Sequence, residues 1–182
     1  MAHQLYIAQS LDGFVADEEG SVRWLEEAGK GGDFGYDEFF RGIGAVVMGS
    51  TTFEQLLSWD ISWQYPEMPN WVFTSRELHA PEGADVRFVS GSPREHVAAI
   101  DESAGEKNVW LVGGADLVRQ WIDERLLDEL ILFVAPLLLG RGIPLFEGTV
   151  PTPAVLSEVK AYPPTGFAEL RYRFPREGGG GP

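Results

Sequence analysis

The amino-acid sequence predicts a three-layer α/β domain, in which helices cover both faces of one sheet. Two observations predict this fold. Short apolar runs alternate with helical patterns along most of the chain, which is the order that builds a mainly parallel sheet. The last two runs, residues 155–162 and 167–174, alternate apolar and polar side chains around Pro163-Pro164-Thr165-Gly166, and this pattern predicts an antiparallel hairpin. With both arms of the hairpin counted, the chain carries eight predicted strands.

The composition is that of a globular domain and excludes several classes of function. No linker or repeat divides the 182 residues, so we expect a single domain over residues 1–175 and a glycine-rich tail over 176–182. The formal net charge of −14, with 14 scattered Lys and Arg residues, argues against nucleic acid or an anionic membrane as the main partner. Cysteine is absent, which excludes disulfides, thiolate zinc sites and cysteine nucleophiles.

The sequence also favours a cytoplasmic protein. No apolar run approaches the ~18–20 residues that cross a bilayer. The N-terminus lacks the basic region of a signal peptide. The absence of cysteine is compatible with a reducing compartment.

Four predicted strands lie in the first half of the chain, at residues 4–8, 45–48, 71–74 and 86–89. Asp12-Gly13 predicts a turn after the first strand. The four glycines of residues 29–35 predict a loop before a short helix at 36–42. Gly49-Ser50-Thr51-Thr52 opens a helix at 53–57, where the hydroxyls are expected to satisfy the unpaired N–H groups of the first turn.

The second half opens with a capping box, Ser92-Pro93-Arg94-Glu95, which predicts a helix to about residue 102. A buried strand at 109–112 follows, and Gly113 and Gly114 come directly after it. A helix at 115–125 would present one apolar face, formed by Val118, Trp121, Ile122 and Leu126. An apolar strand at 128–135 then leads into a glycine-punctuated loop at 137–146.

The glycine pair is the first candidate for a phosphate-binding site. A strand, two glycines and a helix allow backbone N–H groups to approach a phosphate at the positive end of the helix. An ordinary tight turn between a strand and a helix has the same pattern. The glycine pair by itself leaves both interpretations open.

Four blocks, in this order, resemble the dihydrofolate reductase family in the broad sense that includes the reductase domain of bacterial riboflavin biosynthesis. They are residues 10–16, 47–54, 112–115, and 126–130 with 136–146, and the last is most similar to the riboflavin-type branch. The resemblance spans roughly residues 5–174. It implies an eight-stranded, mostly parallel sheet with an antiparallel C-terminal strand. It also implies hydride transfer from NADPH to a pteridine, pyrimidine or similar heterocycle.

The resemblance implies a cofactor site made of strand ends and helix starts. Ser50 stands where the family usually has a basic residue, which leaves the preference for NADPH over NADH open. Arg76 is expected to supply the missing charge at the adenosine 2′-phosphate, the alternative being a solvated arginine paired with Glu77 or Glu82. The implied cofactor-binding residues are Ala8, Gly13, Gly49, Ser50, Thr51, Thr52, Thr74, Ser75, Arg76, Gly113, Gly114, Ala115, Asp116 and Leu117.

The residues expected to bind substrate are Asp12, Trp24, Phe39 and Phe40. Phe39 and Phe40 are adjacent, so one is expected to face the sheet and the other the pocket, while Trp24 could equally belong to the core. Dihydrofolate reductases place a carboxylate on the helix predicted here at 36–42. The nearby acids, Asp33, Asp37 and Glu38, are not in register with it, which argues against a true dihydrofolate reductase.

These observations favour a stand-alone NAD(P)H-dependent reductase, similar to 5-amino-6-(5-phosphoribosylamino)uracil reductase. The alternatives are a dihydrofolate reductase and a nucleotide-binding relative that has lost turnover. The zinc deaminase that often accompanies the riboflavin-type enzyme needs clustered His and Cys ligands. Here the three His residues are dispersed, so neither that domain nor a metal site is expected. The family resemblance also implies a homodimer formed through the apolar run 130–139 and the hairpin, the alternative being that these residues are simply core.

Overall fold

The computed structural model describes residues 1–59 and 62–175, so the predicted tail at 176–182 lies outside the described residues. The strands are β1 His3–Gln9, β2 Phe14–Ala16, β3 Ile43–Gly49, β4 Asn70–Phe73, β5 Val86–Val89, β6 Asn108–Gly113, β7 Glu129–Val134, β8 Ile143–Pro144, β9 Val155–Tyr162 and β10 Phe167–Arg173. The helices are α1 Arg23–Ala28, α2 Tyr36–Arg41, α3 Ser50–Ser58, α4 Pro93–Ala104 and α5 Ala115–Asp123.

The main sheet has eight strands in the order β5-β4-β3-β6-β1-β7-β10-β9. The first six strands in this order are parallel, and β10 runs antiparallel to both of its neighbours. The predicted sheet, including the C-terminal hairpin, is therefore confirmed. The central strands are apolar almost without interruption because the layers on both faces bury them.

Two layers of helices cover the sheet. On one face, Ile100 of α4 and Trp121 of α5 are fully buried against β1, β3 and β6. On the other face, Phe53 of α3 and Trp110 of β6 belong to one buried cluster, against which aromatic rings of α2 pack. Trp24 of α1 packs against a neighbouring cluster around Phe133 of β7. This arrangement confirms the three layers that the sequence predicts.

Helix α5 buries the face that its sequence pattern predicts, with Val118 and Trp121 at 0% exposure and Ile122 at 5%. The capping box of α4 is also present between Ser92 and Glu95. The prediction for α3 was wrong in one respect. The helix begins at Ser50, and no side-chain hydroxyl caps it, because its N-cap position is taken by Gly49.

A two-stranded ribbon, β2 with β8, lies where the sequence predicts loops. It joins the segment after β1 to the glycine-punctuated segment after β7. A β-carbon at Gly142 would clash with the carbonyl oxygen of Ala16, so the glycine allows this close approach. Strands of three and two residues are too short to show periodicity, and α1, at six residues, was missed for the same reason.

Candidate functional site: two helix starts at one edge of the sheet

The carboxyl ends of the six parallel strands meet at one edge of the sheet, where open α/β sheets bind their ligands. Gly113 of β6 lies opposite Met48 of β3, and Gly49 of β3 lies opposite Phe73 of β4. Three predicted segments therefore follow one another along this edge. They are the glycine pair, the start of α3 and the segment 74–76.

The glycine pair and the start of α3 are in contact. A β-carbon at Gly114 would lie 3.5 Å from Thr52 Oγ1 and 3.7 Å from Gly49 Cα. Gly113 and Gly114 adopt φ angles of +148° and +94°, which side-chain-bearing residues rarely adopt. The backbone turn therefore favours glycine at both positions, while the distances show that the two helix starts lie side by side.

Neither of these helices is capped by a side chain. Gly49 and Gly114 occupy the N-cap positions of α3 and α5, and neither helix has a side-chain cap hydrogen bond. The first-turn N–H groups and the positive helix ends are therefore available to an anion. Two such ends, brought together by glycines, fit the diphosphate of a dinucleotide.

The side chains of the first turn of α5 have other roles. Leu117 is 4% exposed and belongs to the core, so only its backbone is available to a cofactor. The carboxylate of Asp116 accepts hydrogen bonds from Arg119 (2.6 Å) and Gln120 (2.8 Å). The Arg119 hydrogen bond, more than any other influence, holds the pKa of Asp116 below its ordinary value.

Arg76 is paired, but with neither of the acids considered from the sequence. Its guanidinium donates to both carboxylate oxygens of Glu54 on α3, at 3.1 and 2.6 Å. Both side chains remain about half exposed, at 52% and 44%. Thr74 Oγ1 accepts from the Arg76 backbone N–H at 2.9 Å and holds the segment after β4 in place.

Asp12 connects the two segments that follow β1 and β7. Its carboxylate accepts from the Ser10 hydroxyl (2.6 Å) and from the backbone N–H groups of Leu139 (3.1 Å) and Gly140 (2.7 Å). Gly13 carries the φ of +91° that the turn requires, and its carbonyl accepts from the Leu145 N–H. Asp12 therefore fastens the loop, while contact with substrate stays a prediction for it.

The expected substrate residues lie on the α1–α3 face of the sheet. Trp24 and Ala8 pack against the same cluster of buried side chains, beside the end of β1. The expected division between Phe39 and Phe40, with one ring facing the sheet and the other the pocket, stays a prediction. Both rings lie edge-on to Trp110, at 5.3 and 6.4 Å, because α2 lays both side chains over β6.

Two buried polar atoms near this edge lack hydrogen-bond partners among the described residues, namely Gln9 Oε1 and Trp24 Nε1. The family resemblance places Gln9, at the end of β1, with Ala8 over the nicotinamide and the substrate, and this stays a prediction. The acids near α2, Asp33, Asp37 and Glu38, are all exposed.

Two features are absent from the described residues, 1–59 and 62–175. No group of three or more His, Cys, Asp or Glu residues there is arranged to hold a metal ion. No helix among them is long and apolar enough to span a membrane.

Several known proteins are similar to this chain. The RibD C-terminal domain model matches residues 4–164. The uncharacterized protein YwjB of Bacillus subtilis is 38% identical over 144 residues, which cover 79% of this chain and 81% of that protein. The riboflavin biosynthesis protein RibD of Corynebacterium ammoniagenes is 28% identical over 76% of this chain, but this match covers only 44% of that protein.

A solved structure agrees with these sequence matches. The crystal structure of a putative riboflavin biosynthesis protein from Shewanella sp. PV-4 superimposes with a TM-score of 0.84 and 26% identity, covering 97% of this chain and all of that one. The fold, the glycine-led starts of α3 and α5 and the sequence matches therefore all indicate the same family. The chain belongs to the RibD C-terminal domain family, the riboflavin-type branch of the dihydrofolate reductase-like fold.

Proposed function

We propose that this protein is an NAD(P)H-dependent reductase that transfers a hydride to a heterocyclic substrate similar to 5-amino-6-(5-phosphoribosylamino)uracil. One observation carries the proposal. The glycine-led starts of α3 and α5 are in contact, and neither has a side-chain cap. Helix ends arranged in this way suit the diphosphate of a dinucleotide.

The order of the strand ends supports the same proposal. Strands β4, β3, β6 and β1 are neighbours, so Arg76, Ser50, Gly114 and Ala8 follow one another along the edge. Three spacings of ~4.8 Å separate the first strand from the last, which gives about 14 Å. An extended dinucleotide would then have its adenosine near Arg76 and its nicotinamide near Ala8.

The residues of the chain bind and orient the reactants. When bound, the nicotinamide supplies the hydride for a C=N or C=O carbon of the substrate. First-turn N–H groups of α3 and α5 bind the diphosphate. Trp24 offers an aromatic surface beside the small side chain of Ala8, where a flat heterocycle can stack. The proton comes from solvent or from a nearby acid.

The proposal is tested by titrating the protein with NADPH and with NADH while tryptophan fluorescence is recorded. We expect saturable quenching by at least one coenzyme, and its oxidation when 5-amino-6-(5-phosphoribosylamino)uracil is added. Absence of quenching by both coenzymes would overturn the proposal.

Location in the cytoplasm stays a prediction, favoured by the absence of cysteine.

Two alternatives have distinct outcomes in the same experiment. Oxidation of NADPH by dihydrofolate would indicate a dihydrofolate reductase, which the exposure of Asp33, Asp37 and Glu38 disfavours. Saturable binding without oxidation by either substrate would indicate a nucleotide-binding protein without turnover. The pairing of Arg76 with Glu54 is the observation that favours this last alternative.

We also propose that the protein forms a homodimer through the outer strand of the hairpin. Val155, Leu156 and Val159 of β9 are exposed at 58%, 50% and 61%. A bulge in the pairing sets Leu156 opposite Tyr172 and Val159 opposite Leu170, so both apolar side chains lie on one face. Leu170 and Tyr172 also line an adjoining groove of about 440 Å³.

A second copy is the occupant we propose for this continuous apolar face, because a two-fold axis would bury the same exposed strand on both partners. Analytical ultracentrifugation should give twice the mass of the chain. Val159→Lys should give the monomer mass. Glu158→Lys, on the opposite face of the same strand, should leave the dimer intact. A wild-type monomer at all concentrations would refute the dimer.

A further inference from the structure

The segments around the outer end of the candidate cofactor site carry an unusual balance of charge. Residues 49–54 and 74–77 contain one cation, Arg76, and two acids, Glu54 and Glu77. Ser50 supplies a hydroxyl where the family usually has a basic residue. Arg76 is therefore the one group of these two segments that can neutralise an added anion.

The single cation is already engaged. Glu54 lies one turn into α3 from Ser50, and both of its carboxylate oxygens accept from the Arg76 guanidinium, at 3.1 and 2.6 Å. The bidentate pairing uses the same planar set of donors that a phosphate would need. Because both side chains are about half exposed, the pair can open without any unfolding of the domain.

We propose that Glu54 sets the preference between the two coenzymes by occupying Arg76 and so disfavouring NADPH. This inference rests on the proposed function. A 2′-phosphate has to displace Glu54 from Arg76 and then lies beside an unpaired carboxylate. The 2′-hydroxyl of NADH has neither disadvantage, and a carboxylate is a suitable acceptor for it. The protein should therefore bind NADH at least as tightly as NADPH.

The test uses Glu54→Gln, which keeps the size of the side chain and removes its charge. We expect the Kd for NADPH to fall about tenfold, because Arg76 becomes available for a charge-assisted contact. The Kd for NADH should change less than about twofold. Both constants are measured by quenching of tryptophan fluorescence on the intact protein, so the readout does not depend on turnover. The gain for NADPH should shrink as ionic strength rises.

Asp85→Asn is the matched control. Asp85 forms a second exposed bidentate pair, with Arg87, at 3.1 and 2.9 Å, at the opposite edge of the sheet. Its substitution changes the net charge by the same amount and should alter neither Kd. In the double variant Glu54→Gln/Arg76→Ala, the gain for NADPH should disappear.

The outcomes separate this inference from the proposed function. Saturable binding of both coenzymes, with a ratio of Kd values that Glu54→Gln leaves unchanged, overturns the role of Glu54 alone. A wild-type preference for NADPH of tenfold or more also overturns it. Arg76→Ala that weakens NADPH and NADH equally overturns the assignment of Arg76 to the 2′-phosphate. No saturable binding of either coenzyme to any variant overturns the proposed function, and this inference with it.

Discussion

The two edges of the sheet differ in how their polar groups are paired. At the amino ends of the strands, the buried ring of His3 accepts a hydrogen bond from Trp121 Nε1 at 2.9 Å. Its other nitrogen lies 2.6 Å from Asp101 Oδ1. Since the indole can only donate, His3 Nδ1 carries no proton, and Nε2 donates to Asp101. Asp128 accepts the backbone N–H of His3 at 2.8 Å.

At the carboxyl ends of the same strands, polar groups are left without partners. The helix starts at Gly49 and Gly114 have no side-chain cap, and Gln9 Oε1 has no hydrogen-bond partner among the described residues. Unpaired buried polar groups lower stability. Asn70, at the amino end of β4, is an exception, because its Oδ1 is also unpaired although its amide nitrogen donates to three carbonyls. Apart from it, one edge of the sheet stabilises the domain, while the other leaves donors and acceptors unpaired.

The largest expected effect is at the stabilising edge. His3→Leu removes the acceptor of the buried Trp121 Nε1 and the partner of the partly exposed Asp101, and should lower the free energy of unfolding by about 3 kcal/mol. Urea denaturation measures this loss. His96→Leu, which removes a single hydrogen bond to the Ser90 carbonyl at the surface, should cost less than about 1 kcal/mol. Equal costs for the two variants would contradict the comparison.

The glycine pair gives the next test, at the carboxyl ends of the strands. Gly114→Ala forces a side chain into a φ of +94° and should cost about 1–2 kcal/mol in stability. Gly83→Ala, in an open loop with a φ of +78°, should cost about as much. Only Gly114→Ala should weaken coenzyme binding, by about tenfold or more, because its methyl group stands at the helix start that the diphosphate has to approach. Equal binding by the two variants would indicate an ordinary turn.

A third test makes one substitution at each end of β1. Gln9→Leu removes an unpaired buried acceptor and should raise the free energy of unfolding by about 1 kcal/mol while weakening coenzyme binding. Gln4→Leu removes the hydrogen-bond partner of Glu129, at 2.5 Å. This change should lower the free energy of unfolding by about 1 kcal/mol without affecting coenzyme binding. Effects of the same sign in thermal or urea unfolding would show that the two edges do not differ in this way.

Much of the fold could be predicted because its signals are local. The buried face of α5 follows from the spacing of Val118, Trp121 and Ile122, and the hairpin follows from alternation around a turn. The contact between Gly114 and Thr52 could be expected once each was recognised as a helix start. The alignment of the two helix starts then follows, because parallel strands end at the same edge of the sheet.

The pairings that decide the chemistry have no such local signal. Glu54 and Arg76 are 22 residues apart, and His3 and Trp121 are 118 residues apart. Nothing in either neighbourhood points to the partner, because each contact forms only when the strands are aligned. For Arg76 the sequence offered the nearer acids, Glu77 and Glu82, and the helix of the adjacent strand supplied Glu54 instead.

The smallest expected effect concerns Asp12, whose carboxylate fastens the loop after β7 at the carboxyl ends of the strands. The Ser10 hydroxyl, helped by the N–H groups of Gly140 and Leu139, holds the pKa of Asp12 below its ordinary value. A lowered pKa in the folded state means that the ionised carboxylate stabilises the loop above its ordinary pKa of about 3.9. That stabilisation is lost as the pH falls through the lower value of the folded state.

Hydrogen exchange measures this loss at the amides of Leu139 and Gly140. Their protection should be highest near about pH 7 and should fall below about pH 4, while the amides of β1 and β6 stay protected. Asp12→Asn should reduce the protection at neutral pH, because a neutral amide oxygen is a weaker acceptor. Asp17→Asn, whose carboxylate accepts only within its own turn, should leave Leu139 and Gly140 protected. Unchanged protection in Asp12→Asn would mean that the β2–β8 ribbon alone holds this loop, and that Asp12 does not stabilise it.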